Sequence, residues 1–248
     1  MHSEPYYMAY EKRYRAVFEA GADRWGHSPD DEVLCTALAE WVEINGLRGK
    51  RIIEFACGEG ACGVILSKLG CVYHGVDVSP TVVEKAREAL ADCENASVKV
   101  GDMVKDSITE KYDAALDCMG FHMLVTDCDR EAYLKNACSA LKEGAPMLFF
   151  RQSYRNADHS EAVYKGRIES IEEWVLKTGS DYTTPSVRRA NFGDGEVEVV
   201  IPLVPARAND REGYITEMEN AGFTLEDFVE MEPSSAVQFS ASIYVRKI

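Results

Sequence analysis

The sequence has no run of about 18 apolar residues, the length a helix needs to cross a bilayer, so no membrane span is expected. It also lacks an excess of basic residues. Lys and Arg total 27 against 42 Asp and Glu, a formal net charge of −15. That sign repels phosphate backbones and anionic lipid, and the paired arginines of "SVRRANF" are too few to reverse it. Neither nucleic acid nor membrane is therefore an expected partner. The N-terminus "MHSEPYYMAYEKRYR" carries no apolar leader segment, which points to the cytoplasm. None of the eight cysteines forms a C-x-x-C pair or clusters with histidine. They read as reduced thiols, with no metal site. Repeats and low-complexity linkers are absent too, and 248 residues at 46% hydrophobic suffice to bury one large core.

What is present is an alternation. From residue 50, "KRIIEFA" reads as strand, "GACGVILSKLG" as helix, "CVYHGVDVS" as strand and "SPTVVEKAREALADC" as helix, with Ser79 as cap and Pro80 at its first turn. "ASVKVGD", "KYDAALDCMG" and "APMLFFRQS" continue as strands, with "REAYLKNACSALKEG" a helix between the last two. Continuous apolar strands alternating with helices predict a mostly parallel sheet covered on both faces. Before this core, "AYEKRYRAVFEAGA" has a helical apolar stripe, and "SPDDEVLCTALAEWVEINGL" starts as a helix at Ser28 and Pro29. After Arg151 the rhythm breaks. "YKGRIESIEEWVLKTG" reads as helix, "SVRRANF" and "EVEVVIPL" as a hairpin about Gly193-Asp194-Gly195, and "DREGYITEMENAG" as helix. "FTLEDFVEM" and "AVQFSASIYVRKI" are joined too closely for a parallel crossover and pair antiparallel. The expectation is one domain over 1–248, with a helical lid at 1–48 and a cofactor-binding core at 50–150. A cap follows at 151–212, then a C-terminal helix and strands at 213–248.

The sharpest motif is "EFACGEGACG", Glu54 to Gly63, in which Gly58, Gly60 and Gly63 are spaced G-x-G-x-x-G between a strand and a helix. A glycine turn there admits a ligand close to the backbone, at the positive end of a helix. NAD, FAD and S-adenosylmethionine all use such turns. An acid at Glu54, four residues before the first glycine, is unwelcome beside a pyrophosphate and suits a sulfonium or ammonium cation. Asp77, ending the second strand, can accept both ribose hydroxyls, as in NAD proteins too. In "VGDM", Asp102 can accept from an adenine amino group with Met103 against the ring.

In this order, "IIEFACGEGACG", "GVDVSP", "VGDM" and "KYDAALDCMGFHML" resemble the successive motifs of the class I S-adenosylmethionine-dependent methyltransferases. The resemblance covers residues 50 to 150, and the two last strands resemble that family's antiparallel edge. It implies a Rossmann-like fold with a seven-stranded, mostly parallel sheet, an antiparallel last strand, helices on both faces and an inserted cap. It further implies S-adenosylmethionine as cofactor and S-adenosylhomocysteine as product. Carried over, Glu54 lies near the methionine amino group, Gly58 and Gly60 admit the methionine portion, Asp77 binds ribose and Asp102 binds adenine. Ala56, Val78, Met103, Cys118 and Met119 complete the cofactor's lining. Ala56 departs from the glycine many members carry.

Methyl transfer from a sulfonium needs alignment and exclusion of water, and a base only for some nucleophiles. The catalytic candidate is His122 in "MGFHML", just past the fourth strand, which either takes a proton or packs against the cofactor. His27 and His159 read as surface residues. Tyr6, Tyr7, Tyr10 and Tyr14 read as a lid or as helix packing, and Trp25 as a stacking or a surface group. The expected acceptor is a small molecule with an O, N or S nucleophile, and the protein a monomer or homodimer. Two other readings stay open at this stage: a non-catalytic S-adenosylmethionine-binding regulator, and an NAD-dependent oxidoreductase.

Overall fold

The computed structural model describes residues 4–180, 184–193, 195–233 and 238–248. Two helices, α1 (Ala9–Glu19) and α2 (Glu32–Ile44), precede the sheet. There follow β1 (Arg51–Phe55), α3 (Ala61–Lys68), β2 (Val72–Asp77), α4 (Pro80–Ala89), β3 (Ala96–Val100) and β4 (Ala114–Cys118). Next come α5 (Asp127–Ala140), β5 (Pro146–Ser153), α6 (Ile171–Thr178) and the strands β6 (Ser186–Phe192) and β7 (Gly195–Ile201). The chain closes with α7 (Arg211–Asn220), β8 (Phe223–Met231) and β9 (Ser240–Lys247).

Seven strands form one sheet in the order β3-β2-β1-β4-β5-β9-β8, and β9 alone runs against both neighbours. The fold is thus the Rossmann-like sheet expected. Alternate side chains feed two cores. Ile53, Phe55, Ala115, Met147 and Phe149 pack under α5 and α7, while Ile52, Tyr73, Leu116, Leu148 and Phe150 pack under α2 and α3. Among the described residues no helix is long and apolar enough to cross a membrane.

Three local expectations change. Helix α2 is capped by Asp31, not Ser28. The Asp31 carboxylate accepts from Val33 N at 3.0 Å and Leu34 N at 3.1 Å, and its charge suits the helix dipole. Ser28 Oγ instead accepts from Asp30 N. The cap helix begins only at Ile171, because Ser170 takes the N-cap and accepts from Glu173 N. In the hairpin, Asp194 lies outside the described residues, as do Ala236 and Val237 of the last predicted strand. Ser79 caps α4 as expected, accepting from Val82 N at 3.2 Å.

The segment between β5 and α7 returns to the N-terminus. Val17 of α1 and Ala22 just after it share a small core with Ala190, Val199 and Ile201 of the β6–β7 hairpin, and Asp23 N donates to Asn191 O at 2.8 Å. Helix α6 rests Trp174 beside Val125, in the connection after β4.

Gly63, third glycine of the motif, lies inside α3 and over β2. A Cβ added to it would sit 2.5 Å from Cε1 of Tyr73, so the helix approaches the strand only without a side chain there. Gly63→Ala should destabilise the protein by about 1–3 kcal/mol, the cost of overpacking a filled core. Urea unfolding at constant m-value would register this, and an unchanged midpoint would mean that the close packing is not needed.

Candidate active site

The connections from β1 and β4 leave toward opposite ends of the sheet, which opens a crevice beyond their C-terminal ends. Both chains leave their strands through left-handed residues: Ala56 at φ +52°, then Gly58 at +53° and Gly60 at +82°, and on the other side Met119 at +64°. The two turns touch. A Cβ on Gly120 would lie 2.6 Å from Cβ of Ala56, so glycine is required there for the turns to meet.

Asp77 stands at the β2 side of the crevice. Its oxygens accept from Gly58 N and Ser79 N, each at 2.9 Å, so it ties the glycine turn to the start of α4. Burial pushes its carboxyl up to about 6 despite those bonds. Each oxygen retains acceptor capacity, which fits a ribose diol. Val78 beside it packs partly into the core with Met103. Asp102 is more heavily engaged than its sequence suggests. It accepts from Val104 N and Lys105 N, and its Oδ2 accepts from the Tyr7 hydroxyl at 2.8 Å.

On the α3 face of the crevice lie Glu54 and Cys118. Glu54 is 1% exposed and accepts from the Tyr73 hydroxyl. Burial drives its carboxyl well above the ordinary range, and Cys118 nearby raises it further. The Cys118 thiol is lowered to about 6, first by the Cys62 thiol and then by His27. His27 contradicts its sequence reading as a surface residue. It is largely buried, with Nδ1 3.2 Å from Asp31 Oδ2 and Nε2 3.2 Å from Met119 Sδ. It is raised to about 9, chiefly by Cys118 and, less, by Asp31.

On the opposite, α5 face sits a network absent from the sequence reading. Asp117 is fully buried at the end of β4, and its Oδ1 accepts from Gly120 N at 2.7 Å, Phe121 N at 3.1 Å and Gln152 Nε2 at 2.8 Å. Its Oδ2 accepts from the Tyr133 hydroxyl at 2.6 Å. Gln152 Oε1 in turn faces His122, 3.0 Å from its backbone N and 3.2 Å from Nδ1. His122 lies in a 3₁₀ turn, 6% exposed, and burial lowers it to about 4. Its carbonyl accepts from Arg207 N at 2.7 Å. An acid inside the apolar strand "AALDCM" was the available signal for Asp117. Gln152 left none.

The N-terminal tyrosines roof these elements. Tyr6 accepts from Val125 N at 2.9 Å, Tyr7 donates to Asp102, and Tyr10 donates to Pro205 O at 2.9 Å. The Tyr14 hydroxyl lies 3.5 Å from where a Cβ on Gly58 would stand. Glu11 fastens the helix beside them, accepting from Ser79 Oγ at 2.6 Å and Thr81 Oγ1 at 2.8 Å. Trp25 is half-buried, below the Arg13 guanidinium at 5.7 Å, and its N donates to Glu59. A cleft of about 450 Å³ opens beside it, lined by Arg24, His27, Glu59, Lys85 and Asn191 among others.

Residues 52–144 match the family of methyltransferase domains. A methyltransferase of a Geobacillus strain, itself uncharacterized, is 24% identical over 70% of this chain and 84% of its own length. A ribosomal protein methyltransferase of Cupriavidus metallidurans is 24% identical over 60% of this chain, which spans only 48% of that relative. Among solved structures, an amino pentose methyltransferase of Micromonospora echinaspora with S-adenosylmethionine bound superposes at a TM-score of 0.61. It is 17% identical, and the match covers 100% of both chains. With the ordered turns of β1, β2, β3 and β4 at one edge of such a sheet, residues 52–144 are a methyltransferase domain, built on the fold of the S-adenosylmethionine-dependent methyltransferase it superposes on.

Proposed function

We propose that this methyltransferase acts on a small-molecule acceptor, with Asp77 and Asp102 placing the cofactor's adenosine and His122 meeting the acceptor. The observation that carries this reading is the roof. The N-terminal helix and the β6–β7 hairpin share one core over the crevice, which favours an enclosed acceptor over a macromolecular surface. We therefore read 1–48 as lid and 151–212 as cap. The structural neighbour from M. echinaspora, an amino pentose methyltransferase, is in keeping with a small acceptor. The methyltransferase domain over residues 52–144 speaks against the hydride-transfer reading, and we read the chain as a working enzyme and not as a regulator.

S-adenosylmethionine supplies a methyl carbon already activated by its sulfonium leaving group. The chain's own work is placement. Gly58 and Gly60 let the ligand lie against the backbone, Asp77 accepts from ribose, and Asp102 accepts from the adenine amino group, which requires the Tyr7 hydroxyl to yield or share Oδ2. Val78 and Met103 flank the base, Ala56, Cys118 and Met119 border the methionine end, and Glu54 lies nearest the methionine amino group. The roof keeps water out. His122, kept neutral by burial, accepts the acceptor's proton or hydrogen bond at Nε2, which no described residue engages.

Three measurements bear on this reading. Asp77→Ala should weaken S-adenosylhomocysteine binding by about 1.5–3 kcal/mol, the value of hydrogen bonds to a charged group. It should also lower stability by roughly 1–3 kcal/mol, since the N–H groups of Gly58 and Ser79 are left unsatisfied. Calorimetry with an unchanged dissociation constant would remove Asp77 from the site.

A screen of small acceptors with labelled methyl donor should return a substrate. On it, His122→Ala should cut turnover by about a hundredfold or more while cofactor affinity holds, as for lost general-base catalysis. Wild-type turnover in that variant would show that His122 does not meet the acceptor.

The protonation state of His122 can be read without any acceptor. The unfolded chain protonates it below about 6.5, the folded protein only below about 4. Stability tied to neutral His122 is therefore fully present above 6.5 and is lost as pH falls toward 4. Replacing it by Gln removes that loss. Between about pH 7.5 and 4.5 the stability of His122→Gln relative to wild type should rise by about 2–3 kcal/mol. Equal differences at both pH values would mean that the imidazole is not held neutral.

A further inference from the structure

Strand β5 changes face just before it ends. Met147 and Phe149 face the α5 side, and Leu148 and Phe150 face the α2 side. Strict alternation would send Arg151 toward α5 and Gln152 toward α2. The pairing with β9 shows otherwise. Phe149 stands opposite Ile243, and Gln152 opposite Ala241, so β5 spends three steps where β9 spends two. One residue is extra. Arg151 takes the left-handed conformation at φ +51°, which marks the bulge. Since Ile243 and Ala241 both face the α5 core, the bulge returns Gln152 to that face, alongside Asp117.

We propose that this bulge makes Gln152 a positioning residue, which holds His122 in the Nδ1–H tautomer and leaves the Nε2 lone pair for the acceptor. Two independent partners settle which way the amide points. The backbone N–H of His122 can only donate, so the atom 3.0 Å away must be Oε1. On the other side stands an oxygen of Asp117 that already receives two backbone N–H groups, so the atom facing it must be the Nε2 donor. His122 Nδ1 faces the same Oε1 at 3.2 Å and must therefore carry the proton. A neutral imidazole has one N–H, so Nε2 is bare.

This inference rests on the proposal that His122 meets the acceptor. In that reaction the proton would leave the acceptor for Nε2 and the acceptor's electron pair would form the bond to the methyl carbon, while the carbon–sulfur bond broke and its electron pair went to the neutral thioether sulfur of S-adenosylhomocysteine. The Nδ1–H bond to Oε1 is unbroken throughout. The positive charge gained by the ring faces an amide whose other end touches the Asp117 carboxylate. A histidine side chain free in water favours the opposite tautomer, with the proton on Nε2, which would present a donor to the acceptor.

The test is nitrogen NMR of the full chain at neutral pH, with the His122 signals identified by their disappearance in His122→Ala. Long-range correlations from the ring carbons should show a protonated Nδ1 and a bare Nε2. In Gln152→Met, which keeps the volume and removes the acceptor oxygen, the Nε2–H form should become the major one. Gln152→Glu, whose buried carboxylic acid can donate to Asp117 and accept from His122, should restore the Nδ1–H form. An Nε2–H imidazole in the wild type would overturn the proposal, even if Gln152→Met failed to fold. So would an unchanged Nδ1–H spectrum in folded Gln152→Met. Because no acceptor is needed, these outcomes judge Gln152 alone, whereas undiminished turnover in His122→Ala would count against the function proposed for His122.

Discussion

A carboxylate buried without a counter-charge organises the reaction side of this crevice. Among the described residues no cation pairs with Asp117, and taking it out of water is costly unless donors replace the lost solvent. Four do: two backbone N–H groups of its own turn, a tyrosine hydroxyl and a glutamine amide. Each donor is thereby fixed. The backbone pair bends the chain after β4 into the turn that carries His122, Tyr133 locks α5 to the sheet, and Gln152 ties in β5. Replacing any one donor with an apolar group would leave the charge partly uncompensated, so geometry at His122 and stability of the core are linked through one residue.

The other side of the crevice is organised by backbone strain. Ala56 and Met119 both occupy left-handed conformations that cost a side-chain-bearing residue on the order of 1–2 kcal/mol each. Neither turn can relax alone, because Gly120 is packed against Ala56. Asp77 further holds Gly58, and Arg130 braces the β4 turn from below. That arginine donates to Phe121 O and Leu124 O while pairing with Glu217 through two bonds of 2.7 Å. Strain held from several directions is a rigid surface, and a methyl transfer that depends on alignment needs one.

What the sequence revealed and what it hid divide by distance along the chain. The strand–glycine–helix turn, the Ser79 cap and Asp77 are set by neighbours within a few residues, so pattern and residue type suffice to find them. The antiparallel end was legible for the same reason, since a short connection permits nothing else. Asp102 was legible as an acid in a turn, but its bond to Tyr7 joins residues 95 apart and has no local signature. Gln152 is the extreme case. It belongs to a face only because of a bulge, and nothing in "MLFFRQS" announces where one extra residue enters. Ser28 misled as a cap because Asp31, three residues on, competes for the same amides with a full charge. His27 misled because its burial depends on Met119 and Cys118, at the far end of the sheet sequence.

These non-local contacts share a direction. Tyr6 reaches Val125, Arg207 reaches His122 and Asp127, Trp174 reaches Val125, and Tyr10 reaches Pro205. Segments from the N-terminus and from the cap thus converge on the connection after β4 and on each other. Of these two segments, the turns after β1, β2 and β3 meet the N-terminal one, through Tyr14 beside Gly58, Glu11 on Ser79 and Tyr7 on Asp102. Evolution of a new acceptor preference can therefore proceed in the roof while Asp77, the glycines and the Asp117 network stay as they are. The constraint runs the other way as well. Because Arg207 holds the His122 carbonyl and Tyr6 the nearby Val125 N, a change in the roof large enough to admit a different acceptor also shifts His122, the residue we propose to meet it.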